Sequence, residues 1–105
     1  MPDFEKIESW EASKKYYKRA MAGEFNIVDT QVHNGENGNF MFGSHRNVEA
    51  DATIEEIKET EQAKFDKFKE LGHVVTVSFL DGAGLSAEID RYDRWIEREL
   101  SEEEN

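Results

Sequence analysis

The first twenty-three residues carry apolar side chains at helical spacing. Asp3 can cap the start of a helix, and Gly23 is placed to end it. At about 100° per residue, the apolar side chains gather on one arc. This arc contains Ile7, Trp10, Tyr17 and Met21, with Phe4 at its edge. The pattern predicts a helix over residues 3–22 that buries this arc.

Alternation replaces the helical spacing after Gly23. Residues 24–33 are rich in β-branched side chains, the segment NGENG supplies turn residues, and residues 39–45 resume the alternation. The pattern predicts a β-hairpin. If both strands run undistorted, one face carries Phe25, Ile27, Phe40 and Phe42, and the other carries Val28, Val32 and Met41. One face is expected to be core, and the other to be apolar and semi-exposed.

Helical spacing returns over residues 53–71. Thr53 and Glu56 have the spacing of a capping box, and Gly72 closes the segment. The apolar arc of this second predicted helix contains Ile54, Ile57, Phe65, Phe68 and Leu71. Next, residues 73–80 predict a strand with Val75, Val77 and Phe79 on one side.

The last segment predicts a third helix. DGAG is interpreted as a turn, Ser86 as the cap, and residues 87 to about 101 as the helix, with residues 102–105 frayed. Its inward side chains are Ile89, Tyr92, Trp95, Ile96 and Leu100. An alternative makes residues 85–89 a fourth strand that shortens this helix.

The order of elements is therefore α-β-β-α-β-α, which predicts an α+β fold. Three strands without a regular βαβ alternation favour a small antiparallel sheet packed on one face by helices. A length of 105 residues is typical of one compact domain, predicted over residues 1–105.

Charge is the strongest compositional signal. Twenty-four acidic residues against thirteen basic ones give a net charge of −11. Residues 1–23 carry about +1, so residues 24–105 carry −12. This imbalance argues against direct binding of nucleic acid and favours solubility or a basic partner. No apolar run is long enough to span a membrane, and no signal sequence is recognised, so a soluble cytoplasmic protein is expected.

The acidic residues concentrate in two groups. The first group is Glu49, Asp51, Glu55, Glu56 and Glu59, and the second is Glu97, Glu99, Glu102, Glu103 and Glu104. A solvated face is the ordinary meaning of such groups. However, Glu55 and Glu59 repel at i, i+4, and the second group lies at a helix C-terminus, where the dipole disfavours acids. Each placement costs a few tenths of a kcal/mol or more. Both groups are therefore predicted to bind a basic protein surface.

No catalytic, cofactor-binding or metal site is predicted. His33, His45 and His73 lack the spacing of zinc motifs and are interpreted as solvent-exposed residues at strand edges. The absence of cysteine excludes disulfides and thiolate zinc sites. The glycine-rich segments match no phosphate-binding frame, and no serine has the context of a nucleophile. The chain is expected not to be an enzyme.

Three charged residues interrupt the apolar arcs. Lys14, Glu61 and Asp93 each fall among inward-facing positions. They could lie at the arc edges or pair with one another, for instance Lys14 with Glu61. The alternative is a polar cleft left by the helices. The sequence leaves both open.

At the level of class, the chain resembles the small acidic proteins that phages encode against host defences, namely anti-CRISPR proteins and other DNA mimics. The likeness rests on length, acidity, absence of cysteine, an α/β mixture and the closing helix RYDRWIERELSEEEN. Bacterial immunity proteins are similar for the same reasons. The thirteen basic residues depart from the purest DNA mimics. The resemblance implies an inhibitor in the host cytoplasm that occupies a nucleic-acid-binding surface of a defence nuclease complex, with Met41 or Trp95 as apolar anchors.

A second hypothesis is a small-molecule or nucleotide-signal binder, or a homo-oligomeric module such as a homodimer. A nucleotide site would combine aromatic side chains with basic phosphate contacts. The candidates are Trp10, Tyr17, Phe40 and Phe42 with Lys14, Lys15, Lys18, Arg19 and Arg46. Convergence of these bases and aromatics would favour the binder, and scattered ion pairs would favour the acidic inhibitor.

Overall fold

The computed structural model describes residues 1–102 and has an α+β fold. The elements are α1 (Phe4–Met21), β1 (Phe25–His33), β2 (Phe40–Glu49), α2 (Ile54–Ala63), α3 (Asp66–Glu70), β3 (Val74–Phe79) and α4 (Gly82–Glu102). The predicted fold class and strand number are confirmed. Contacts group the chain into two units, one with α1 and α4 and one spanning Phe25–Leu80. The expectation of one compact domain stays a prediction.

In the first unit, α1 packs on α4. The backbone N–H of Lys6 donates to the Asp3 carboxylate at 3.2 Å, as predicted for the cap, and Gly23 follows the helix with φ +86°. Tyr17, Ala20, Leu85 and Ile96 are buried, whereas Phe4, Met21 and Leu100, predicted to be on or beside the apolar arcs, are exposed. Trp10 contacts Trp95, and Tyr17 stacks on Tyr92. The middle of each predicted arc forms the interface, and the ends of the arcs do not.

Helix α4 begins five residues before its predicted start. The Asp81 carboxylate accepts from the backbone N–H of Gly84 at 2.7 Å, and the Asp81 carbonyl accepts from that of Leu85. Asp81 rather than Ser86 therefore caps the helix, and the predicted DGAG turn and the alternative strand over residues 85–89 are both wrong. Two glycines in the first turn cost about 1 kcal/mol each relative to Ala. The burial of Leu85 offsets part of that cost.

The second unit contains a three-stranded antiparallel sheet in the order β2-β1-β3. Its covered face is lined by Val28, Thr30 and Val32 of β1 and by Val75 and Val77 of β3, all buried. Helices α2 and α3 both contact β3. The predicted orientation of Val75 and Val77 is confirmed, because the two valines are buried and their neighbours along β3 are exposed.

A β-bulge in β2 sets which phenylalanine joins the core. Val32 pairs with Phe42, whereas His33 pairs with Phe40, so Met41 is the extra residue. Phe42 therefore shares the covered face with Val32, and Phe40 lies on the opposite face against His33, 59% exposed. The prediction that Phe40 and Phe42 share a face assumed undistorted strands and is wrong. One inserted residue reverses the side to which the following side chains point.

The predicted helix over residues 53–71 is two helices in the structure. The capping box of Thr53 and Glu56 is confirmed. The helix stops at Ala63, and Phe65 leaves the helical region with φ −117° and ψ 24°. The rings of Phe65 and Phe68 both pack on Phe42, with centroids at 5.9 and 4.8 Å. This aromatic packing accompanies the break, which leaves Leu71 72% exposed instead of buried.

No helix within residues 1–102 combines the length and the apolar character that crossing a bilayer requires.

We expect Thr30→Val to raise the free energy of unfolding by about 1 kcal/mol. The Thr30 hydroxyl is buried without a hydrogen-bond partner, and Val keeps the shape of Thr while removing the oxygen. Urea denaturation of both proteins measures the change. Thr76→Val, at an exposed position of β3, is the matched control and should change stability by less than about 0.5 kcal/mol. A loss of stability in Thr30→Val would contradict an unpaired hydroxyl.

Candidate acidic interface

The first acidic group lies on one continuous stretch of the second unit. Glu49 ends β2, Asp51 lies in the connection, and the other three members lie on α2. All five side chains are exposed. Within residues 1–102, none of them makes an ion pair with Lys, Arg or His. This group, called here the acidic segment, is Glu49, Asp51, Glu55, Glu56 and Glu59.

Helix α2 directs two of these carboxylates away from the sheet. Ile57 and Glu61 face inward, and at about 100° per residue Glu55 and Glu59 fall on the opposite side. Their i, i+4 spacing keeps the two negative charges adjacent. Glu56 has a structural role, because its Oε2 accepts from the backbone N–H of Thr53 at 3.3 Å. Of the three members on α2, Glu55 and Glu59 therefore have no such structural role within residues 1–102.

The members of the second acidic group differ in exposure and in hydrogen bonding. Glu97 and Glu102 are exposed on α4, and Glu103 and Glu104 lie outside the described residues. Glu99 is half-buried, and its Oε1 accepts from the backbone N–H of Asp3 at 3.0 Å. This hydrogen bond satisfies a donor near the start of α1. Glu99 thus joins α1 to α4, a role that spacing along the chain did not indicate.

Basic residues also interrupt the second group. Arg98 lies among its acids, and Arg91 and Arg94 precede them on α4, so residues 91–102 carry a net charge of −1. Residues 49–63 carry −5, or −4 without Glu61, which is paired with Arg46 and Lys64. Arg91 is itself paired with Glu88. Within the described residues, the acidic segment therefore carries more uncompensated negative charge than the last turns of α4 do.

Lys14 and Asp93 neutralise each other inside the helical unit. Lys14 Nζ donates to Asp93 Oδ1 at 2.7 Å and lies 3.7 Å from Glu11 Oε2. The hydrogen bond to Asp93 raises the pKa of Lys14, against a smaller opposing effect of burial. The suggested pairing of Lys14 with Glu61 is wrong. The interpretation that charges in the apolar arcs are paired is correct for Lys14 and Asp93.

Glu61 is the buried charge of the sheet unit, with 3% of its surface exposed. Its Oε1 accepts from the Arg46 guanidinium, at 2.8 Å from Nε and at close range from Nη2, and from Lys64 Nζ at 3.0 Å. Burial alone would raise the pKa of Glu61, but the hydrogen bonds and charges of Lys64 and Arg46 lower it overall. Glu61 is thus compensated within the fold and takes no part in the acidic surface.

The interpretation of the histidines as solvent-exposed is wrong, because all three are half-buried, and each has a neighbour in the structure. His45 Nε2 lies 3.2 Å from Asp29 Oδ1, and His73 Nδ1 accepts from the backbone N–H of Gly35 at 3.2 Å. His33 packs edge-on against Phe40. Residues 1–102 contain no group of three potential metal ligands.

The Asp29–His45 pair escaped the sequence analysis. Asp29 also accepts from Gln31 Nε2 at 2.9 Å, on the face of the sheet opposite α2. Counting outward from the turn pairs Asp29 with His45 only if one bulge residue is allowed in β2. Predicting this pair from the sequence would therefore have required predicting the bulge.

Within each unit, the bases and aromatics named for a nucleotide site do not gather at one pocket among the described residues. Phe40 and Phe42 lie on opposite faces of the sheet. Arg46 and Lys14 are paired as described, and Arg19 Nε lies 3.3 Å from Glu24 Oε1. Lys15 and Lys18 line a cavity of about 360 Å³ on α1 with Glu11, Ala12 and Lys14, and no aromatic residue lines it.

Comparisons with protein-family models, with curated proteins and with solved structures found no match.

We expect Glu61→Gln to lower the free energy of unfolding at pH 7 by about 2 kcal/mol, since it removes charged hydrogen bonds in a buried site. The lowered pKa of Glu61 determines the pH dependence. Its stabilisation is complete above the unfolded-state pKa, about 4.3, and is lost as the pH falls through the folded-state pKa. Denaturation curves between pH 7 and pH 3 should therefore converge for the wild type and Glu61→Gln.

The control for this experiment is Glu59→Gln, which removes an exposed carboxylate from the same helix. Its effect should stay within about 0.5 kcal/mol. A difference between wild type and Glu61→Gln that stayed constant down to pH 3 would contradict a charged Glu61.

Proposed function

We propose that this chain is a non-enzymatic inhibitor that binds a basic, nucleic-acid-binding surface of a host defence nuclease complex. The observation that carries the proposal is the acidic segment: five exposed carboxylates without an ion-pair partner among residues 1–102. The fold neutralises Glu61 and Asp93, yet it leaves this segment uncompensated. A partner surface rich in Lys and Arg could form ion pairs with these carboxylates, which have none within residues 1–102.

The cost of the segment supports a binding role. Like charges at i, i+4, such as Glu55 and Glu59, destabilise an isolated helix by about 0.2–0.5 kcal/mol. Lys58 is the one base among residues 49–63. A Lys/Arg surface turns this repulsion into attraction, and the summed field accelerates association. Surfaces that bind phosphates carry such cations, so the inhibitor would compete with nucleic acid.

The remaining predicted contacts contribute unequally to the proposal. In the second acidic group, Glu97 and Glu102 are exposed, whereas Glu99 is committed to the backbone of Asp3. Met41 is 40% exposed at the bulge and can serve as an apolar anchor. Trp95 is half-buried and packed against other aromatic rings, so it is the weaker anchor candidate. The proposed interface is therefore centred on α2.

The test is affinity capture from a bacterial lysate with a charge-reversed pair of variants. Glu55→Lys/Glu59→Lys removes the adjacent charges of α2, and Glu5→Lys/Glu8→Lys makes the same change in net charge at exposed positions of α1. At low salt, we expect the wild type and the α1 variant to capture a nucleic-acid-binding protein. The α2 variant should capture at least tenfold less of it. Raising the salt should elute the captured protein because it screens the ionic contacts. Adding duplex DNA should elute it because the DNA competes for the same Lys and Arg side chains.

Two results would overturn the proposal. One is capture that is insensitive to salt and to duplex DNA. The other is an equal loss of captured protein in the α1 and α2 variants, which would show that capture depends on net charge and not on the position of the charges. Circular dichroism of both variants, with the helical signal of the wild type, establishes that each is folded.

A further inference from the structure

A cavity of about 270 Å³ in the helical unit is lined by Trp10, Trp95, Arg98 and Glu99. The chain contains two tryptophans, and both line this cavity. Each indole is half-buried, so part of it remains accessible. The site uses no residue of the acidic segment. Trp95 and Glu99 are among the contacts predicted for the inhibitor, but the proposed interface is centred on α2, outside this cavity.

The aromatic wall of the cavity is held in place by its neighbours. The rings of Trp10 and Trp95 have centroids 5.7 Å apart and planes inclined by 53°. Trp95 also packs edge-on against Tyr92 at 5.4 Å, and the Arg91 guanidinium lies 5.2 Å from its ring centroid. Arg91 is in turn paired with Glu88. The wall is therefore formed before any ligand arrives, which lowers the entropic cost of binding.

The two charged residues of the cavity differ in the contacts that they already make within the fold. Glu99 accepts a hydrogen bond from the backbone of Asp3, which satisfies part of its carboxylate. Arg98 makes no ion pair with any acidic side chain in residues 1–102. The Arg98 side chain is exposed, so its guanidinium is accessible to a ligand. A planar guanidinium binds a carboxylate through two parallel hydrogen bonds.

We propose that this cavity binds a small aromatic carboxylate. The ring of the ligand packs against the indoles of Trp10 and Trp95, and its carboxylate binds Arg98. A volume of about 270 Å³ lies near the lower end of ligand pockets, which suits one or two fused rings rather than a nucleotide. Arg98 favours an anion, because its guanidinium can hold a carboxylate, whereas Glu99 already accepts the backbone N–H of Asp3 through Oε1.

The test uses 2-naphthoate and the two indole N–H signals in a ¹⁵N–¹H correlation spectrum of the full chain. Trp10→Phe and Trp95→Phe assign one signal each. We expect titration to shift both signals saturably, with a dissociation constant on the order of 1 mM or tighter for a ligand of this size. The uncharged analogue 2-naphthalenemethanol should bind at least fivefold more weakly, because it cannot pair with Arg98.

Arg98→Gln and Arg94→Gln form the matched pair of variants. Both arginines are exposed on α4, and Arg94 does not line the cavity. Arg98→Gln should weaken 2-naphthoate binding about tenfold, the effect of losing a charged hydrogen bond, and should leave the uncharged analogue unchanged. Arg94→Gln should bind 2-naphthoate within twofold of the wild type. Backbone signals that keep the wild-type dispersion show that each variant is folded.

Three outcomes would overturn the proposal. The first is the absence of a saturable shift at either indole. The second is equal affinity for 2-naphthoate and its uncharged analogue, or no effect of Arg98→Gln, since either would make the cavity merely apolar. The third is tighter binding of 2-naphthylmethylamine, which would assign the selectivity to Glu99. None of these results bears on the acidic segment, whose variants are tested separately.

Discussion

The central position of β1 is the constraint on which the sheet unit depends. This strand is hydrogen-bonded to β2 on one edge and to β3 on the other, and the outer strands do not pair with each other. Val28, Thr30 and Val32 are almost completely buried on its covered face. The register that β1 imposes places Arg46 opposite Val28, from where it reaches Glu61 on α2. Strand pairing thus positions the buried ion pair and, through it, the helix that carries the acidic segment.

Some acidic residues form ion pairs or hydrogen bonds within the fold, and others are exposed without an ion-pair partner among the described residues. Glu61 and Asp93 are paired with cations, while Glu56 and Glu99 accept from the backbone at helix starts. Glu61 and Asp93 are neutralised in this way, since a buried or partly buried charge without a partner is costly, whereas Glu56 and Glu99 keep their charge. The net charge of −11 therefore says less about binding than the identity of the acids that remain uncompensated. That distinction centres the proposed interface on α2 rather than on both acidic groups equally.

Features that depend on near neighbours could be predicted from the sequence. The cap at Asp3 and the capping box of Thr53 require only residues three positions apart. Alternation likewise predicted the orientation of β3. Predictions that assumed regular continuation were wrong at three places: the bulge at Met41, the helix break before Phe65, and the start of α4 at Gly82. At each place tertiary packing or an unrecognised cap changed the local pattern.

By itself, the sequence determined the α+β class, the antiparallel hairpin and the excess of negative charge, because periodicity, turn residues and composition are properties of short segments or of the whole chain. Only the tertiary structure decided which charges are compensated. Lys14 meets Asp93 across 79 positions, and Glu99 meets the backbone of Asp3 across 96. Such contacts depend on how α1 packs on α4, and side-chain spacing within either helix does not specify that arrangement.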